Sequence, residues 1–195
     1  SAFMLIDWCD TLHFELRTDG TLTREDLTIA LPADDLCLRT ASALQAATGT
    51  QLGAHLGIAK NVPSQAGMGG GSSDAASCLL HLHNLWDTRV PLEKLAEIGL
   101  RLGADVPFFL RGHNAWVEGI GENITPLTGD TQLAAADFLV VKPPAGLPTD
   151  AIFSAADLKR DTEAATMRGF AEKDYGFGHN GLQPVAQRTY PGVPQ

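Results

Sequence analysis

The alternation of apolar and polar positions predicts a β-rich opening, with strands over Phe3–Asp7 and Thr11–Leu16, a hairpin turn at Thr18-Asp19-Gly20-Thr21 and a further strand around Leu27–Leu31. The period changes over Ala33–Gly49, where Leu36, Leu38, Ala41, Leu44 and Ala47 form the stripe of an amphipathic helix that Gly49 closes. His55–Lys60 reads as a strand ended by Pro63, which lacks the N–H a ladder needs. Ala75, Ala76, Leu79, Leu82 and Trp86 mark a second helix, and Pro91–Leu102, bracketed by Pro91 and Gly103, a third. Val106–Leu110 and Ala115–Glu118 read as a hairpin about Arg111–Asn114, Phe138–Lys142 as a buried strand, and Thr149–Leu158 and Thr162–Asp174 as helices. Little regular structure is expected over Phe177–Gln195, and a domain boundary falls near Thr128–Asp137.

With 195 residues, 44% of them hydrophobic and 19% charged, the chain can bury a substantial core. The 14 Lys and Arg against 23 Asp and Glu give a net charge of −9, the wrong sign for gripping nucleic acid or an anionic membrane through bulk electrostatics. A nucleotide is still admissible, because backbone N–H groups and a helix N-terminus can bind phosphate without net positive charge. Cys9, Cys37 and Cys78 are odd in number and follow no disulfide or zinc spacing, which fits a reducing cytoplasm. No membrane-length apolar run and no secretory start is seen, and no oligomeric state is selected by the sequence.

The chemistry concentrates where four glycines in five residues, Gly67, Gly69, Gly70 and Gly71, lead into Ser72-Ser73-Asp74 and a helix. Glycine lets backbone N–H groups approach a ligand, and the helix mouth adds orphan donors and a positive dipole end, so a triphosphate is a natural guest. A tight corner with Ser72 or Ser73 as an ordinary N-cap is the alternative. The absence of Gly-Lys-Ser/Thr excludes a Walker loop, and the loop's place after a β-rich opening and a helix disfavours a dinucleotide fold. Asp105, in Gly-Ala-Asp-Val-Pro between a helix end and an apolar segment, reads as a candidate base or as a turn residue bonded to local N–H groups. His113 reads as a solvated turn residue, and His81 and His83 do not make a metal pair.

The run from Pro63 through Gly67-Met68-Gly69-Gly70-Gly71-Ser72-Ser73 to Ala75-Ala76 resembles the second motif of the GHMP kinases, with Met68 in the usual leucine place. Asn84-Leu85-Trp86, Leu102–Phe109, Arg111-Gly112-His113 and Glu118–Glu122 extend the resemblance over nearly the whole chain and favour a branch acting on a cytidine-linked alcohol. The resemblance implies an α/β fold (α+β, two-layer). By the same resemblance a ribosomal S5 domain 2-like, ATP-binding N-terminal domain is expected over 1–130, truncated at its start, and the start of a second, truncated α+β domain over 131–195. It implies Mg²⁺ and ATP as cofactors, bound with the small-molecule substrate in the cleft between the domains. It also implies Pro63, Gly67, Gly69, Gly70, Gly71, Ser72 and Ser73 as the ATP and phosphate site, without assigning a Mg²⁺ ligand. Asp105 would accept the proton of the substrate hydroxyl, Phe153 would stack on the cytosine, with core packing as the alternative, and Thr149 would lie on the substrate side.

Two parts of the family pattern are missing: an N-terminal motif expected before Ser1 and a third, glycine-rich motif expected after Gln195. The 195-residue chain by itself is therefore expected to lack turnover. Asp35 stands where some relatives place an asparagine near the adenine. Two other readings compete: a GHMP kinase for homoserine, a sugar or a mevalonate-type alcohol, and a non-catalytic nucleotide-binding module, against which the retention of Asp105 argues.

Overall fold

The computed structural model describes residues 1–142, 146, 149–161, 165–173 and 179–190, and the side chains of 149, 150 and 171–173 lie outside what it describes. The chain divides into two compact units, one formed by Ser1–Pro63 and Gly69–Pro126 and the other by Ser64–Met68 and Leu127–Gln195.

In the first unit β1 (Ala2–Phe3), β2 (Thr11–Arg17) and β3 (Leu22–Asp26) precede α1 (Leu36–Thr48), β4 (Gly53–Ala59), α2 (Gly70–Leu85) and α3 (Leu92–Leu102). A short α4 (Val106–Arg111) and the strands β5 (Ala115–Glu118) and β6 (Asn123–Pro126) complete it. β2 and β3 are not hairpin neighbours. β4 lies between them, antiparallel to β2 with Phe14 opposite Leu56 and parallel to β3 with Arg24 opposite Leu56. The third strand is Leu22–Asp26 rather than Leu27–Leu31, because the turn at Gly20 (φ 75°) is followed at once by the ladder with β4. A second sheet joins β1 to β5 and β5 to β6, all antiparallel.

α1 begins where the Asp35 carboxylate accepts the Leu38 N–H at 2.8 Å and ends at Gly49, left-handed at φ 68°, whose N–H reaches the Gln45 carbonyl. Its buried face (Cys37, Ala41, Leu44) meets Leu56 and Ile58 of β4, Leu79 and Leu82 of α2, and Leu95 of α3 in one core. Trp86 closes that core and donates its indole N–H to the Gly53 carbonyl at 3.1 Å. Phe14 of β2 stacks on His81 of α2, with ring centroids 4.4 Å apart, so His81 serves packing.

Val106–Leu110 is a helix, not the strand its apolar run suggests. Pro107 stands in the first turn, where no N–H is needed, Gly112 caps the end at φ 65°, and Val106, Pro107, Phe108 and Leu110 are all buried. An apolar run buried on several sides has no period that separates helix from strand. The hairpin instead pairs Ala115–Glu118 with Asn123–Pro126.

The second unit carries a 3₁₀ turn (Gly129–Thr131), α5 (Thr149–Phe153), α6 (Met167–Lys173) and α7 (Gln183–Thr189), with Ile152, Leu158, Val185 and Ala186 forming a small core. α7 falls where little regular structure was expected, and Pro184 in its first turn suits a helix start. Phe138–Lys142 forms no strand, and Leu139 and Val141 are 92% and 72% exposed. β-propensity alone does not make a strand, which also needs ladder pairing.

Candidate active site

Helix α2 opens at Gly69, left-handed at φ 70°, with no side chain capping its first N–H groups. A Cβ at Gly69 would stand 2.9 Å from Cζ of Phe109 on α4, so the glycine serves close approach as well as backbone conformation. Gly67 is also left-handed, at φ 70°. The Ser73 N–H makes the first helical bond, to the Gly69 carbonyl at 2.9 Å, and neither serine hydroxyl has a hydrogen-bond partner among the described residues. The reading of Ser72 or Ser73 as an N-cap is thereby set aside: Gly69 holds that position, and the helix mouth keeps its orphan donors.

The Asp105 segment adjoins this mouth. Gly103 lies against α2, where a Cβ would stand in ordinary contact with the Ser72 hydroxyl at 3.6 Å, and α4 starts three residues further on. From the other side Gly121, in the β5–β6 turn, closes on the Ala104 carbonyl, where a Cβ would be 2.4 Å from the oxygen. Asp105 occupies the N-cap position of α4 but accepts no capping N–H, so the turn-residue reading does not hold. The carboxylate is half-buried without a partner among the described residues, and burial alone raises its pKa above the ordinary value.

Beneath the helix mouth lies a charge cluster that periodicity did not reveal. Lys60, just past β4, donates to Asp10 Oδ2 and, at 2.7 Å, to Asp74 Oδ2 in α2. Asp10 Oδ1 accepts the N–H groups of Asn61 at 2.5 Å and Val62 at 2.8 Å. Burial opposes the Asp10 charge, but Lys60 and the two backbone donors outweigh it and hold its pKa below the usual value. Asp74, which accepts from Lys60 and has the Asp10 charge nearby, is pushed by burial up to about 6. The Lys60 ammonium is held protonated: burial works against it, and the two carboxylates prevail. These partners are 14 and 50 residues apart in sequence, a separation no local pattern encodes.

Asp35 is committed elsewhere. Besides capping α1 it pairs with Arg24, which also grips Asp26 at 2.7 Å and the Pro32 carbonyl at 2.8 Å. In the second unit Phe153 is 54% exposed, which removes the core-packing reading, while its neighbour Ile152 fills the small core. Thr149 begins α5, and its side chain lies outside the described residues. His113 is exposed, as expected. No described helix is long and apolar enough to cross a membrane.

An α/β unit that sets an uncapped, glycine-rich helix mouth beside a carboxylate with no partner among the described residues is suited to handling phosphate, and residues 35–113 match the family described as the GHMP kinases N-terminal domain. The 4-diphosphocytidyl-2-C-methyl-D-erythritol kinase of Polaromonas naphthalenivorans (strain CJ2) is 62% identical over an alignment of 206 positions, which takes in 100% of this chain and 68% of the relative. The enzyme of the same name from Albidiferax ferrireducens is 63% identical over 195 positions, again with 100% of this chain and 67% of the relative. A crystal structure of 4-(cytidine 5'-diphospho)-2C-methyl-D-erythritol kinase superposes with a TM-score of 0.67 at 28% identity, over 93% of this chain and 65% of that one. The chain belongs to the GHMP kinases, in the family of the 4-diphosphocytidyl-2-C-methyl-D-erythritol kinases. It spans about two thirds of the length of these relatives. Membership in a kinase family implies ATP as the phosphoryl donor.

Proposed function

We propose that the full-length protein containing this chain transfers the γ-phosphoryl group of ATP to a hydroxyl of 4-diphosphocytidyl-2-C-methyl-D-erythritol, a step of non-mevalonate isoprenoid biosynthesis. The observation that carries this reading is identity above 60% along the entire chain to enzymes bearing that name. The glycine-rich mouth (Gly67, Gly69, Gly70, Gly71, Ser72, Ser73, entered from Pro63) receives the triphosphate on backbone N–H groups, and the α2 dipole favours its charge. Asp105 accepts the hydroxyl proton as the oxygen attacks the γ-phosphorus and the bond to the ADP oxygen breaks. The absence of a partner for it among the described residues and its raised pKa suit a base that must be ionised yet ready to take a proton. Ser72 and Ser73, whose hydroxyls have no hydrogen-bond partner among the described residues, are oxygen donors of the kind that would hold Mg²⁺, which would offset phosphate charge when bound with the nucleotide. The exposed ring of Phe153 is available to stack on the cytosine, with Thr149 on the same short helix as a further substrate-side residue. The domain assignment, ATP-binding over 1–130 and a second domain from 131, belongs to this reading.

The test is ADP release by the full-length protein with Mg-ATP and a panel of alcohols. Turnover with the cytidine-linked alcohol at least about a hundredfold above that with homoserine, mevalonate or galactose is expected, since a site built to hydrogen-bond a group discriminates strongly against analogues lacking it. Preference for another alcohol would keep the kinase and discard this substrate, and ATP binding without turnover on any of them would favour a binding module.

A further inference from the structure

The chain leaves the first unit at Pro63 and returns at Gly69, and both ends of this excursion are fixed by one cluster. Asp10 binds the exit through the Asn61 and Val62 N–H groups, and Lys60, itself bonded to Asp10, binds the return through Asp74. The side chains of Asp10, Lys60 and Asp74 are 2%, 7% and 9% exposed. The exit and return also touch directly: a Cβ on Gly70 would come within 3.0 Å of Val62 Cγ1 and 3.5 Å of Asp10 Oδ2. Two carboxylates against one ammonium is a poor device for cohesion alone, because burying charge costs more than packing aliphatic side chains of similar volume. What the arrangement supplies is register, since every hydrogen bond in it is satisfied at one relative placement of residues 61–62 and 74.

We propose that Asp10, Lys60 and Asp74 are positioning residues for the kinase reaction, holding the two ends of the glycine loop at the spacing that admits the nucleotide phosphates. The inference rests on the function proposed above. In a Walker loop the lysine reaches the phosphates; here the Lys60 ammonium is engaged by two carboxylates below the loop and acts through the backbone.

The full-length protein is compared with its Asp74→Asn, Lys60→Met and Lys60→Met/Asp74→Leu variants by ATP titration, steady-state kinetics and thermal melting. Asp74→Asn keeps an oxygen for Lys60 and is expected to raise the Kd and KM for ATP about tenfold, with kcat and the KM of the alcohol within about threefold, the pattern of lost uniform binding. The apolar double variant is expected to melt above Lys60→Met, since it leaves no unpaired charge at position 74, and yet to retain the ATP defect. That separation of stability from nucleotide affinity is what a merely structural cluster would not produce. An ATP KM unchanged in every variant, or one that follows the melting temperature and rises together with the alcohol KM, would overturn the inference while wild-type turnover left the kinase reading intact. A wild-type protein that binds no ATP would overturn both.

Discussion

The neck of the glycine loop and the corner at Asp105 use the same group, a carboxylate near the start of a helix, in opposite ways. At the neck Asp10 and Asp74 share Lys60, and two backbone N–H groups complete the set. At the corner Asp105 stands at the N-cap of α4 and accepts no hydrogen bond among the described residues. In the proposed roles the satisfied charges fix geometry, and the carboxylate without a partner among the described residues accepts the proton. Burial raises the pKa of both Asp74 and Asp105, so the shift alone does not distinguish the two roles; the hydrogen-bond partners do.

The comparison is broken most severely by Lys60→Met, which leaves two carboxylates buried without their cation and is expected to cost about 3–5 kcal/mol in chemical denaturation. A cost near zero would mean that water reaches the neck. Gly69→Ala places a side chain at φ 70° against the Phe109 ring, and a loss of about 1–3 kcal/mol is expected on the same assay. Asp105→Asn, by contrast, removes a half-buried charge that has no partner among the described residues. Because its native pKa is raised, ionisation of Asp105 opposes folding as pH rises through that pKa, so the variant should at pH 7 be as stable as wild type or slightly more stable, within about 0.5 kcal/mol. A clear destabilisation would point to a hydrogen bond at Asp105. The smallest effect is one of position on the pH axis: a base at Asp105, as proposed, works ionised, so kcat/KM should fall as pH drops through the raised pKa, with the acid limb centred above the ordinary value of about 4.

The parts of this molecule legible in the sequence are those written locally. The stripe of α1, its Gly49 cap, the glycines before α2 and the Pro91–Gly103 bracket around α3 each placed an element to within a few residues. Val106–Leu110 and Phe138–Lys142 misled because an apolar run specifies burial or propensity without period: the first is a helix buried on several sides, and the second forms no strand and leaves Leu139 and Val141 exposed. The insertion of β4 between β2 and β3 and the joining of Asp10 to Lys60 are long-range events, set by which faces must be buried together. At the candidate site the loop and Asp105 were visible from residue type and the family motif, whereas the neck beneath them emerged only with the fold.

The most direct test of the account is the rate of ADP release by the full-length protein with Mg-ATP and 4-diphosphocytidyl-2-C-methyl-D-erythritol, beside its Asp105→Asn variant. A fall in kcat of about 10²–10⁴, with the ATP affinity and melting temperature unchanged, is the predicted result. A variant that turns over within a few-fold of wild type would contradict the assignment of Asp105 as the base and the division of labour between corner and neck.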